Sequence, residues 1–202
     1  MAKLRRFTAY RRLERPYTRI SKYTKKNYVK YNPGSKISRF ETGNMQKSFE
    51  AAFDLVSKSA IQIRQEALES ARMSSNRLLE KRLGKGGFRL KLRVYPFHVL
   101  RENPLASGAG ADRMSTGMKQ SFGKTIGCAA QVKKGQVVIT AFADKNNSAV
   151  ARLALERASK KLPCGFTIQM RDLKKVNADN SKQPATIKAA ETTVEEATAE
   201  SA

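Results

Sequence analysis

Phe88-Arg89-Leu90-Lys91-Leu92-Arg93-Val94-Tyr95 alternates apolar and polar side chains without a break until its last residue. A strand sends successive side chains to opposite faces, so Phe88, Leu90, Leu92 and Val94 share one side. Arg89, Lys91, Arg93 and Tyr95 share the other. The first side needs a core to cover it. The second carries three cations and a ring with no acid among them, whereas a solvated face ordinarily mixes signs. This stretch therefore predicts a half-buried strand in a layered domain, with an outer side suited to phosphates.

Toward the N-terminus, residues 47–56 place Phe49, Ala51, Phe53 and Leu55 on one side of a second alternating run. Ser59 and Gln62 have capping-box spacing, and a helical pattern follows to Leu83. Ile61, Leu68, Ser75 and Leu79 form its stripe, flanked by Ala60, Ala67, Ala71 and Leu78. The remaining positions are charged, and Gly84 after a basic last turn marks the stop. Toward the C-terminus, residues 127–133 and 136–143 flank Lys133-Lys134-Gly135-Gln136, which predicts a hairpin. Asn147 or Ser148 then caps a helix over about 149–162, with Val150, Leu153, Ala154 and Ala158 as its stripe. Lys160-Lys161 and Pro163 end it. Phe166, Ile168 and Met170 mark a closing strand. The order β-α-β, long loop, β-β-α-β predicts an α+β fold of two layers, with two main helices on a mostly antiparallel sheet.

The chain has 202 residues, 40 of them Lys or Arg and 17 Asp or Glu, for a formal net charge of +23. Such an excess repels itself unless a polyanion neutralises it, which points to nucleic acid. The charge is uneven. Residues 1–40 carry +12, residues 41–171 carry +13, and residues 172–202 carry −2. Three parts are expected: a basic arm (1–40), an α+β core (41–171) and a disordered tail (172–202). In the arm, Arg5, Arg6, Arg11, Arg12, Arg19, Lys22, Lys25 and Lys26 alternate with five tyrosines, Tyr17 among them, and Lys36 follows. Guanidinium groups suit bidentate phosphate contact, and the rings can stack on unpaired bases. These residues, with Arg89, Lys91, Arg93 and Lys124, are the candidate RNA contacts.

Other classes fall away. Cys128 and Cys164 lack the paired spacing of a zinc site and are expected as reduced thiols. His98 stands alone, which disfavours His-based metal binding and catalysis, and no cofactor is expected. His98 is expected to pack or hydrogen-bond at a strand end. No apolar run approaches the roughly 20 residues of a membrane span, and no hydrophobic segment follows the basic start.

Residues 101–126 form a long stretch with no periodicity, of a length that is usually functional. Gly108, Gly110, Gly117 and Gly123 lie among small residues, with Arg101, Arg113, Lys119 and Lys124 around them. Small residues let a backbone approach another molecule closely. Gly108-Ala109-Gly110 opens a dinucleotide-binding pattern, but Arg113 stands where its third glycine belongs. Gly117 to Thr125 is near a phosphate-binding loop, but one residue too long between its glycines and placed before a strand. Neither motif supports a nucleotide site. Asp112 beside Arg113 is expected to form a local ion pair. A chromatin-like DNA binder would show a groove-reading helix or ribbon, and neither helix here is cleanly one.

Val94-Tyr95-Pro96-Phe97-His98-Val99-Leu100-Arg101-Glu102-Asn103, Gly108-Ala109-Gly110-Ala111-Asp112-Arg113, Gly117-Met118 and Phe122-Gly123-Lys124 together resemble the universal large-subunit ribosomal protein sixteen family, in its archaeal ten-e branch. Pro16-Tyr17-Thr18-Arg19, Pro33-Gly34-Ser35-Lys36-Ile37 and Leu79-Glu80-Lys81-Arg82-Leu83-Gly84 extend the resemblance over residues 3–171. It implies an α/β-hammerhead fold and no enzymatic activity. It also implies a place in the large ribosomal subunit, on large-subunit rRNA near 5S rRNA and beside neighbouring ribosomal proteins. The loop would reach toward tRNA at the peptidyl transferase centre through Arg101, Glu102, Asn103, Ser107, Gly108, Ala109, Gly110, Ala111, Asp112 and Arg113. A part in late subunit maturation is implied as well. Pro104-Leu105 and Lys119-Gln120-Ser121 depart from the family pattern, which bears on the loop's detailed contacts.

Overall fold

A computed structural model describes residues 4–13, 29, 31, 33–102 and 123–173. Among these residues, eight strands and two α-helices form an α+β fold in which every strand pairing is antiparallel. The strands are β1 (Glu41–Gly43), β2 (Ala51–Ser57), β3 (Ile61–Arg64), β4 (Arg89–Leu92), β5 (His98–Glu102), β6 (Lys124–Val132), β7 (Val137–Ala143) and β8 (Phe166–Asp172). The helices are α1 (Gln65–Leu83) and α2 (Ser148–Ser159). The described strands form two sheets, ordered β1-β4-β7-β2-β8 and β3-β6-β5.

The alternation at 88–95 is realised as expected. Phe88, Leu90, Leu92 and Val94 are all buried and belong to the core. They share it with Phe53, Leu55, Ile139 and Ala141 of the neighbouring strands and with Leu68, Leu79 and Leu155 of the helices. β2 is buried along its whole length, on one face by the core around Phe53 and Leu55 and on the other where Thr140 and Arg171 meet Asp54, so it shows no alternation.

Three expectations are corrected. Residues 61–64 form a strand rather than the first turn of a helix. Helix α1 starts at Gln65, and its N-cap Arg64 makes no side-chain capping bond. Residues 127–143 do not form a hairpin. β6 pairs with β3 and β5, β7 pairs with β2 and β4, and Lys133–Gln136 carries the chain from one sheet to the other. Helix α2 buries Ala151, Ala154, Leu155 and Ala158, leaving Leu153 exposed, so the buried stripe is rotated from the expected one. Gly84 does end α1, at φ +70°, a conformation glycine adopts without steric cost.

At one corner the chain passes between the two sheets. The passage from β2 to β3 and the passage from β6 to β7 run side by side there. The Gly135 N–H donates to the Ser57 carbonyl at 2.8 Å, and the Ser57 N–H donates to the Gln136 carbonyl at 3.0 Å. The Lys58 N–H adds a bond to the Gly165 carbonyl at 3.1 Å.

Candidate nucleic-acid interface

The outer face of the five-stranded sheet is built from rows of side chains set by its register. One row runs Glu41, Lys91, Thr140, Asp54, Gln169. The next runs Gly43, Arg89, Phe142, Ala52, Arg171. Arg89 lies over the Phe142 ring, its guanidinium carbon 5.5 Å from the centroid. Cation–π contact holds such a group flat while leaving its edge for a second partner.

The face is not made of cations alone. Arg89 pairs with Glu41 at 2.6 Å, and Lys91 pairs with the other oxygen of the same carboxylate. Lys91 first and Arg89 second hold the Glu41 carboxyl below its ordinary range by hydrogen bonding to the charged form. Arg93 is exposed and donates from Nε to the Thr140 hydroxyl at 3.1 Å. Thr140 in turn donates to Asp54 at 2.7 Å, and Asp54 pairs with Arg171 at 2.5 Å. Arg93, Thr140, Asp54 and Arg171 thus form one chain of contacts across β7, β2 and β8. Buried Asp54 and Thr140 are satisfied, and Arg171 stays half-exposed. Four cations against two carboxylates leave this patch positive.

Arg171 was missed at the sequence level, although Thr167, Gln169 and Arg171 alternate with Ile168 and Met170 in a readable period of two. Glu41 was missed as the acid of the face because it lies 48 residues from Arg89.

The arm supplies a second basic surface, and its described residues are fastened to the domain. Tyr10 donates its hydroxyl to Oε1 of Glu102, and Arg5 pairs with Oε2 of the same residue at 3.0 Å. Arg64 places its guanidinium 4.9 Å from the Tyr10 ring centroid and donates to the Arg5 carbonyl at 2.6 Å. Gln62 donates to the Tyr10 carbonyl at 3.2 Å. Phe7 packs on the core. Leu4 reaches β6 at Gly127, where a Cβ would stand 3.2 Å from its Cδ1. Burial first, then the bond to Glu102, push the Tyr10 phenol up to about 12.

Of the expected arm contacts, Arg5 is thus engaged by Glu102. Arg6, Arg11 and Arg12 are exposed and form no ion pair with a described residue. Lys36 is exposed and pairs with Glu66 at 3.3 Å. The segment around it is held on α1, where Arg72 bonds Glu69 at 2.6 and 2.9 Å and Ser38 at 2.9 Å.

The two ends of the expected loop at 101–126 lie in strands. Arg101 and Glu102 end β5, and Lys124 begins β6, with Glu102 and Lys124 facing each other in register. These residues form the stem. Tyr17, Arg19, Lys22, Lys25, Lys26, Asn103, Ser107, Gly108, Ala109, Gly110, Ala111, Asp112 and Arg113 lie outside the described residues.

Cys128 and Cys164 form no disulfide; the Cys128 thiol donates to the Pro33 carbonyl at 3.3 Å, and burial raises its pKa. His98 is buried at the start of β5. No group of three or more His, Cys, Asp or Glu among the described residues could hold a metal, and no described helix is long and apolar enough to cross a membrane.

A family model described as ribosomal protein L16p/L10e matches residues 18–169. The chain belongs to the ribosomal protein L16p/L10e family. It is 43% identical over 154 residues to large ribosomal subunit protein uL16 of Archaeoglobus fulgidus, covering 76% of this chain and 85% of that one. It is 45% identical over 146 residues to large ribosomal subunit protein uL16 of Methanocella arvoryzae, covering 72% and 85%. The protein of the same name from Methanococcus maripaludis is 44% identical over 165 residues, covering 82% and 92%. Membership in L16p/L10e places the chain among structural ribosomal proteins of archaeal type, not among enzymes.

Proposed function

We propose that this L16p/L10e protein is a structural constituent of the large ribosomal subunit, resident on the ribosome in the cytoplasm, and binds large-subunit rRNA through two surfaces. One is the arm, through Arg6, Arg11, Arg12 and the cations that follow to Lys26. The other is the sheet face of Arg89, Lys91, Arg93 and Arg171. In this reading the rRNA lies near 5S rRNA, and the stem of Arg101, Glu102 and Lys124 carries residues 103–113 toward tRNA at the peptidyl transferase centre. Neighbouring ribosomal proteins and a role in late subunit assembly complete it.

One observation carries the proposal. The docked arm keeps Arg6, Arg11 and Arg12 exposed while Arg5 and Tyr10 secure it to Glu102. A cationic segment held in place and left unneutralised is ready for a polyanion. Phosphate contact releases counterions, so affinity falls steeply with salt. Native protein should cosediment with large subunits and be stripped only by high salt. Deleting residues 2–30 should weaken binding to large-subunit rRNA and reduce the salt slope. Preference for duplex DNA over structured rRNA at matched salt would overturn the assignment.

A further inference from the structure

Among the described residues nothing buries the aromatic side chain of Phe97. It is 67% exposed, and its neighbour Tyr95 is 46% exposed. The two rings nevertheless do not stand singly. Phe40 stacks on Tyr95 with centroids 5.2 Å apart and planes within 20°, and Tyr95 meets Phe97 at 4.5 Å, tilted by 46°. Phe40, the inner rung, packs against the core. The ladder therefore climbs from the core into solvent and ends on an open ring.

Its position is rigid. Val94, Pro96 and His98 are buried on either side of the two exposed rings. The Phe97 N–H donates to the Tyr95 carbonyl at 3.0 Å, and the Leu92 N–H donates to the Phe40 carbonyl at 2.8 Å. Rings held this way lose little freedom when something stacks on them. Their chain neighbours are basic. Arg93 and Arg39 are exposed, and the nearest acids along the chain, Glu41 and Glu102, are taken by Arg89 with Lys91 and by Arg5 with Tyr10.

We infer that Phe97 and Tyr95 form a stacking platform for an unpaired base of the rRNA, with Arg93 and Arg39 meeting the flanking phosphates. A free π-face beside cations matches a single-stranded nucleotide, since every base has a π-face and an adjacent phosphate. A paired base inside a helix has no face to offer. An apolar protein partner would cover the rings but gain nothing from the two arginines. This inference rests on the rRNA-binding reading and adds which part of the RNA is recognised.

The test uses the full chain, with a single-stranded oligoadenylate and an RNA duplex of equal length as probes at matched salt. Phe97→Leu should bind the single strand roughly five- to a hundred-fold more weakly, the range base–aromatic stacking spans. Its salt slope and its duplex binding should be those of the unsubstituted protein. Phe97→Tyr, which keeps the ring, should bind the single strand normally. Unchanged single-strand binding by Phe97→Leu, or an equal loss on both probes, would overturn the platform while leaving the rRNA reading intact. Failure of the unsubstituted chain to bind large-subunit rRNA would overturn both. Ultraviolet crosslinking of intact large subunits is an independent check. It should place a nucleotide adduct on the tryptic peptide Val94–Arg101. A protein crosslink on that peptide in place of the nucleotide would overturn the inference.

Discussion

Tyr10 donates its hydroxyl to Glu102, joining the arm to the last residue of β5 across 92 positions of sequence. Glu102 is 4% exposed and accepts Arg5 on its other oxygen. A nearly buried carboxylate needs partners, and here both come from the arm.

Replacing Tyr10 with Phe should cost about 1 kcal/mol, the usual net value of such a bond. It should also expose Arg5 and Arg6 to trypsin sooner. The alkaline limb adds a check of sign. In the folded chain the Tyr10 phenol is raised from 10 to about 12, so its protonated form is favoured by folding. Its contribution is complete below pH 10 and is lost as pH rises through about 12. Denaturant midpoints of wild type and Tyr10→Phe should therefore converge over that interval. A constant gap from pH 8 to 12 would contradict the assignment.

Glu41 gives the opposite limb. Its carboxyl is lowered by Lys91 and Arg89, so its stabilisation is present above the ordinary carboxylate pKa of 4.5 and is lost as pH falls below it. Glu41→Gln should flatten that part of the acid denaturation profile. The same change releases Arg89 and Lys91. Affinity for large-subunit rRNA should rise, and the salt slope should steepen by roughly one to two phosphates' worth. Weaker rRNA binding by a folded Glu41→Gln protein would show that Glu41 orients the two cations rather than masking them.

Arg72 lies on α1 with its side chain 10% exposed and forks onto Glu69 while reaching Ser38. Arg72→Ala leaves Glu69 without its cation in a partly buried place and should cost about 2–4 kcal/mol. Arg72→Lys keeps the charge but loses the fork, so chemical denaturation should place it between the two. A lysine variant as unstable as the alanine variant would show that planar geometry, not charge, secures the segment at Ser38.

These contacts also show which parts of the molecule could be read from sequence. The alternation at 88–95, of which Arg89–Leu92 is strand, was legible because one side meets the core and the other meets solvent. β2 was only half-legible, since both of its faces are covered. At 61–64 the chain makes four residues of strand and then turns directly into α1 without a side-chain cap, so the helical pattern ran on past its true start. Lys133–Gln136 had the composition of a hairpin turn, but the partners of β6 and β7 lie far away in sequence, and local chemistry cannot name them. The site divides the same way. Its cations announce themselves by type. Their carboxylate partners, Glu41 and Glu102, are brought in by the fold, and Phe97 looked like one more apolar residue until its exposure was known.

The bonds at Ser57, Gly135 and Gln136 continue the β2–β7 pairing to the point where the chain crosses into the other sheet. Beyond that crossing the two sheets share one core, which runs from Phe53 and Leu55 of β2 to Ile63 of β3 and Val132 of β6. The cationic patch belongs to the first sheet, and the strands on either side of residues 103–122 belong to the second. A common core fixes the bearing of one sheet on the other, so a change that loosens it at Ile63 or Val132 should be felt in both.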